Sequence, residues 1–214
     1  MSFGLVLLTG YLILISTFFF DGVFKRVKIS KRKTLLAGLV VLVLYFMTQV
    51  RITETLIVGP GITFMLLVAF IASVKAYRSR SLFLLLYAFA NGFFIFVIGN
   101  LIPGNTAEYV YYVQGIVIGF ISAFTIKTPT MKTAHAVLTA GFICIGEYIR
   151  ELVFSGYAIL YIGRETFDTA VTAFVTAFLL SDIMYHIRAA SKAKKETHLK
   201  NMAIDDMKHN RTQS

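Results

Sequence analysis

Glu147, Arg150 and Glu151 stand inside a largely apolar run, residues 134–154. At ~1.5 Å per residue Glu147 lies ~20 Å along a helix there, about two-thirds of the way across a ~30 Å hydrocarbon core. A charge at such depth costs roughly 2.5–3.5 kcal/mol on insertion scales, so it needs a partner or a wet cavity. The spacing gives these residues a face of their own. Ala140, Cys144, Glu147 and Glu151 follow helical steps, with Gly141 and Arg150 beside them, while Phe142, Ile145, Ile149 and Leu152 form the opposite stripe. Small and polar residues toward a bundle, with bulky ones toward lipid, predict that the charged group points inward.

A second charged group, Arg164, Glu165 and Asp168, follows after a short connection. A helical hairpin brings both groups to one membrane level. Two chemistries fit that set. In the first, Glu147 pairs with Arg150 and Arg164 reaches Glu151, so that salt bridges clamp the sixth and seventh apolar runs together. In the second, the same side chains line a polar pocket for a solute, an ion or a proton.

Two further sets are polar within apolar sequence. Asn91 falls near a membrane midplane, with Tyr87 one turn earlier and Gln114 in the next run, a pattern expected to make interhelical hydrogen bonds. Asp182 and His186 are one helical turn apart, and His135 is expected at the same inner level. Too few donors accompany them for a metal, so an interfacial pairing of Asp182 with Arg188 is expected, with no metal and no cofactor.

The elements that must hold these residues are membrane helices. The 214-residue chain is 57% hydrophobic and 15% charged, with a mean hydropathy of +0.74, where soluble domains average about 25% charged residues. Seven apolar runs approach or reach spanning length: residues 3–20, 34–50, 55–74, 81–102, 109–126, 134–154 and 169–186. The first run lacks a basic flank before it and is followed by basic residues, which predicts an uncleaved helix with its N-terminus outside. Of the 21 lysines and arginines, all but Arg51, Arg150 and Arg164 fall in alternate loops or the C-terminal tail. The positive-inside rule then predicts an all-α bundle of seven transmembrane helices over residues 1–187, N-terminus outside, with a basic cytoplasmic tail over 188–214.

Details of the runs agree with that arrangement. Tyr109, Tyr111, Tyr112, Tyr157 and Tyr161 suit an outer aromatic belt, Pro60 suits a helix start, and Pro103-Gly104-Asn105 reads as an exterior turn. Gly115 and Gly119 make a GxxxG, and Ala170, Ala173 and Ala177 line the seventh run beside Thr169, Thr172 and Thr176, with Phe167, Val171, Phe174 and Phe178 on its other side. Such small-residue faces are expected to pack within the bundle. The net charge of +10 is accounted for by topology and by anionic lipid at the cytoplasmic face, and no basic face with interleaved aromatics suggests nucleic acid. The single cysteine, Cys144, excludes an intrachain disulfide.

No Gly-x-Ser-x-Gly, HExxH, P-loop or dinucleotide fingerprint is present, and the seventh run has no lysine for a retinal Schiff base. Gly146-Glu147-Tyr148, together with Ile162-Gly163-Arg164-Glu165-Thr166-Phe167-Asp168, resembles YphA-type membrane proteins of spore-forming bacteria. That resemblance implies a bacterial plasma membrane and carries no activity with it. The expected function is a non-catalytic, multi-pass plasma-membrane protein for assembly, sensing or support, acting with a membrane-protein partner or a second copy of itself. The alternative is a small-solute or ion transporter using the outer charged pocket.

Overall fold

Helix boundaries follow local capping chemistry. In the computed structural model, which describes residues 2–17, 20–27, 29–76, 81–101 and 109–212, α1 (Phe3–Ser16) starts at Ser2, whose hydroxyl accepts from the Leu5 amide. After the short α2 (Asp21–Val27), α3 (Lys31–Tyr45) is capped by Ser30 in the same way. Pro60 opens α4 (Pro60–Ala76), as expected for a residue with no amide hydrogen to leave unpaired. Next come α5 (Ser81–Leu101) and α6 (Tyr109–Thr125). α7 (Pro129–Ser155) begins on a proline and ends at Gly156, whose φ of +70° is left-handed. The last helix, α8, runs unbroken for 49 residues, Arg164–Thr212. It continues straight through the stretch expected as a solvated tail. The Pro103-Gly104-Asn105 turn, Lys28, Arg78 and Arg80 lie outside the described residues.

Three short strands were not expected. The second apolar run stops being helical at Tyr45, and the third starts as a strand. β1 (Val50–Thr53) and β2 (Leu56–Val58) form an antiparallel hairpin, and β3 (Leu160–Ile162) adds to β2 in parallel, pairing Leu56 with Leu160 and Val58 with Ile162. Isoleucine and valine are strand formers as well as apolar residues, so hydropathy counted them toward helices. The sheet therefore ties the α3–α4 connection to the α7–α8 connection. Gly59 extends the tie by donating to the Ile162 carbonyl at 2.8 Å.

The core surrounds the upper half of α8. Gly115 and Gly119 of α6 lie against Thr172 and Thr176; a Cβ on Gly115 would sit 2.7 Å from the Thr172 Cβ and 2.8 Å from the Thr169 carbonyl oxygen. The GxxxG face is thus used within the chain, as expected. The other side of α8 is buried too, because Phe178 packs against Tyr11, Phe20 and Phe24, and Phe167 against Tyr45. The stripe opposite the alanines is therefore core, since α1, α2 and α4 close over it.

The chain is mostly helical, and among the described residues two helices are long and apolar enough to cross a membrane: residues 82–100 of α5 and 164–194 of α8. Seven such helices were expected. The difference has local causes. The hairpin shortens α3 and α4, and α1, α4 and α6 are apolar over 17 residues or fewer. α7 is long enough but diluted by Lys132, His135, Glu147, Arg150 and Glu151. Lys132, expected in a loop, lies within the first turns of α7 and is buried, its ammonium 3.5 Å from the Met184 sulfur. Large apolar side chains nevertheless cover the outer surface, with Phe46, Phe83 and Phe154 at 71%, 72% and 84% exposure.

Candidate functional site

The charged cluster at the end of α7 assembles around carboxylates rather than ion pairs. Glu147 is half-buried, and the strongest charge acting on it is that of Glu165 at the start of α8; Arg150 and Glu151 come after. The Tyr111 side chain of α6 also faces Glu165. Arg150 turns the other way, donating from Nη1 to Asn100 Oδ1 of α5 at 2.6 Å, with its guanidinium 5.9 Å from the Phe96 ring centre. Glu151 and Arg164 are exposed. Among the described residues no ion pair joins Arg150 or Arg164 to Glu147, Glu151 or Glu165. The expected clamp of α7 to α8 by salt bridges is therefore not formed among these residues. A shared membrane level fixes the height of a side chain but not its direction around the helix axis, and here Arg150 and Glu147 leave α7 toward different neighbours.

Asp168 has a separate task. It is buried at 6% exposure, and its Oδ1 accepts from the Gly4 amide at 3.0 Å. A carboxylate at the N-terminal turn of α1 meets the positive end of that helix. Between Cys144 and Thr166, one turn below, Sγ and Oγ1 are 2.7 Å apart, a buried contact joining α7 to α8. Hydrogen bonds of the described cluster thus reach α1, α5, α7 and α8.

The polar set near the bundle centre is built on a residue that sequence reasoning had placed elsewhere. Tyr87 and Asn91 do converge, but on His135, not on Gln114. The Asn91 Nδ2 lies 3.4 Å from His135 Nε2, Ser122 Oγ lies 2.8 Å from His135 Nδ1, and Tyr87 stacks on the imidazole with centres 5.1 Å apart. Gln114 Oε1 is buried without a hydrogen-bond partner. His135 is completely buried, as is Ser122. With the Asn91 amide nitrogen donating to Nε2, the ring proton sits on Nδ1 and is given to Ser122; with the amide oxygen turned to Nε2, the ring proton sits there and Nδ1 accepts from Ser122. The expected level shared by His135, Asp182 and His186 does not bring them together, and among the described residues no three His, Cys, Asp or Glu side chains are placed to share a metal ion.

At the opposite end, Asp182 is held by Arg26 of α2 and not by Arg188. Arg26 donates from Nε to Oδ1 at 2.7 Å and from a second nitrogen to Oδ2 at 3.2 Å, while His186 Nε2 lies 3.8 Å from Oδ2. This fork-on-carboxylate geometry is the strongest form of such a pair. Arg26→Leu and Asp182→Leu should each lower the unfolding temperature in detergent, and the double variant should lose less than the sum of the two. Strictly additive losses would show that the pair contributes nothing.

A cavity of about 440 Å³ opens beneath the sheet, lined by Ser2, Tyr45, Gln49, Gly59, Arg164 and Phe167. Tyr45 and Ser2 are hydrogen-bonded through their hydroxyls at 2.9 Å, and Gln49 reaches the Tyr161 hydroxyl. The first turns of α1, α4 and α8 all border it. Arg164 therefore lines this cavity and not the carboxylate cluster. Comparison with protein-family models, with curated proteins and with solved structures returns no match for the chain.

Proposed function

We propose that this chain is a non-catalytic, multi-pass protein of a bacterial plasma membrane with an assembly, sensing or support role, in which α1 and α3–α8 each cross the bilayer. The observation that carries the reading is the combination of an exposed apolar surface with basic residues concentrated at alternate helix connections and the helix ends that flank them. The shorter helices belong to the same body as the two long ones, and their connections alternate in charge. α2 lies between the first two spans at the cytoplasmic side, where Arg26 meets Asp182. The resemblance to YphA-type membrane proteins supports the same location.

Small-solute or ion transport is the second reading. It draws on Glu147, a half-buried carboxylate beside Glu165 that no arginine of the cluster neutralises by an ion pair.

Cysteine labelling tests the topology cleanly, because the one native thiol, Cys144, is buried. In a Cys144→Ser background, Arg32→Cys and Lys192→Cys should react only after the membrane is opened, and Thr53→Cys and Tyr157→Cys should react in intact cells. Labelling of Arg32→Cys from outside would overturn the seven-span reading. In proteoliposomes, solute or ion uptake that Glu147→Gln abolishes would replace the supporting role with transport.

A further inference from the structure

A second cavity, of about 350 Å³, lies between α1, α3, α4, α7 and α8, and none of its lining residues belongs to the carboxylate cluster. Its two ends differ in chemistry. At the end where α3 and α7 begin, the wall is Ser30, Lys33, Thr34, Thr130 and Thr133; farther in it is Val41, Met65, Val68 and Val171. Lys33 has no carboxylate partner among the described residues, whereas its neighbour Lys31 is paired with Asp21. Ser30 caps α3 at this mouth, so the positive end of that helix adds to the lysine. Tyr11 also forms part of the wall. It is 95% buried (5% exposure), yet its hydroxyl has no hydrogen-bond partner. An orphaned hydroxyl in an apolar interior is costly and asks for an acceptor from outside the chain.

We propose that this cavity binds one single-chain anionic phospholipid, its acyl tail along the apolar wall and its phosphate at Lys33 and the start of α3. Three observations select that occupant. The volume is near the lower end for small-molecule sites, which suits one chain rather than two. The mouth carries uncompensated positive charge. The tyrosine hydroxyl needs an acceptor apart from the headgroup, which an acyl ester carbonyl supplies and a free fatty acid does not.

The test is native mass spectrometry of the full chain in a non-ionic detergent, titrated with oleoyl lysophosphatidylglycerol, oleoyl lysophosphatidylcholine or oleate. The expected result is saturable one-to-one binding of the anionic lysolipid, favoured over the zwitterionic one by about fivefold, the factor that corresponds to about 1 kcal/mol per basic residue. Lys33→Gln should erase that preference and keep binding of the tail. Ala37→Trp, which fills the cavity from α3, should remove one-to-one binding while helical content and elution volume stay unchanged; Ala72→Phe, from α4, serves if Ala37→Trp does not fold. Non-saturable binding, or binding that the filled variant retains, would show lipid on the outer surface only and overturn the site. Oleate bound as tightly as the anionic lysolipid would overturn the phospholipid assignment. None of these results depends on which way the chain crosses the membrane.

Discussion

Gly115→Val is expected to destabilise the protein by about 3 kcal/mol, the upper end of what overpacking usually costs. The glycine's missing side chain is where α8 passes. A Cβ at Gly115 would meet the Thr169 carbonyl oxygen at 2.8 Å, and backbone cannot swing aside as a side chain can. One turn on, a Cβ at Gly119 would stand 2.5 Å from the Thr176 Cβ and 3.0 Å from the Ala173 carbonyl oxygen. Relief at either place means moving α6 away from α8 along its length and opening the contact that holds the two together. Gly10 supplies the control, since a Cβ there meets nothing within 4 Å. Gly10→Ala should be neutral or stabilising by up to about 1 kcal/mol, as expected when alanine replaces glycine in a helix. Thermal unfolding in detergent measures both. Equal midpoints for Gly115→Val and Gly10→Ala would mean that α6 and α8 are not in close contact.

His135→Leu is expected to lose a similar amount, about 3 kcal/mol, for a different reason. Leucine fits the space but gives nothing to Ser122 or Asn91, and each unsatisfied buried polar group costs about 1–3 kcal/mol. Ser122 has a fallback. Serines in this bundle bond to the carbonyl one turn back, as Ser73 does to Ala69 and Ser181 to Ala177. Asn91 now spends its amide on His135, and the carbonyl one turn back, which Asn100 uses at Phe96, would satisfy only one of its two polar ends, so most of the loss should come from it. Adding Asn91→Leu to His135→Leu should therefore recover about half of the lost stability, because replacing both partners by apolar groups leaves nothing unpaired. A double variant less stable than His135→Leu alone would sink this account.

These two sites differ in how plainly the sequence shows them. A spacing of four between Gly115 and Gly119 marks a close-packed face whatever the fold, and the threonines that receive it recur at the same helical interval in α8. Loop charge is equally legible, because each basic cluster borders an apolar run. His135 is not, since its partners come from two other helices and only three-dimensional packing brings Ser122 and Asn91 to its two nitrogens. The sheet was hidden for another reason. β2 pairs with a strand about a hundred residues later, and no local pattern encodes a parallel partner so far along the chain. The arginine–carboxylate clamp failed because hydropathy and helix position give depth alone. Arg150 shares its depth with Glu147, but it finds Asn100 on α5.

The continuity of α8 has a mechanical consequence. Its 49 residues span ~74 Å at ~1.5 Å per residue, more than twice a ~30 Å hydrocarbon core. Neither proline nor glycine interrupts it from Arg164 to Thr212, so it contains none of the usual places where a helix hinges. Such a rod carries torque. A twist applied where Phe167 meets Tyr45, at the wall of the 440 Å³ cavity, would pass along the axis to the turns beyond residue 188, and a tilt would swing those turns the opposite way about the tight crossing at Gly115 and Gly119. The sheet on one side and the Arg26–Asp182 fork on the other then serve as bearings, restraining the shaft near its two ends of the bundle.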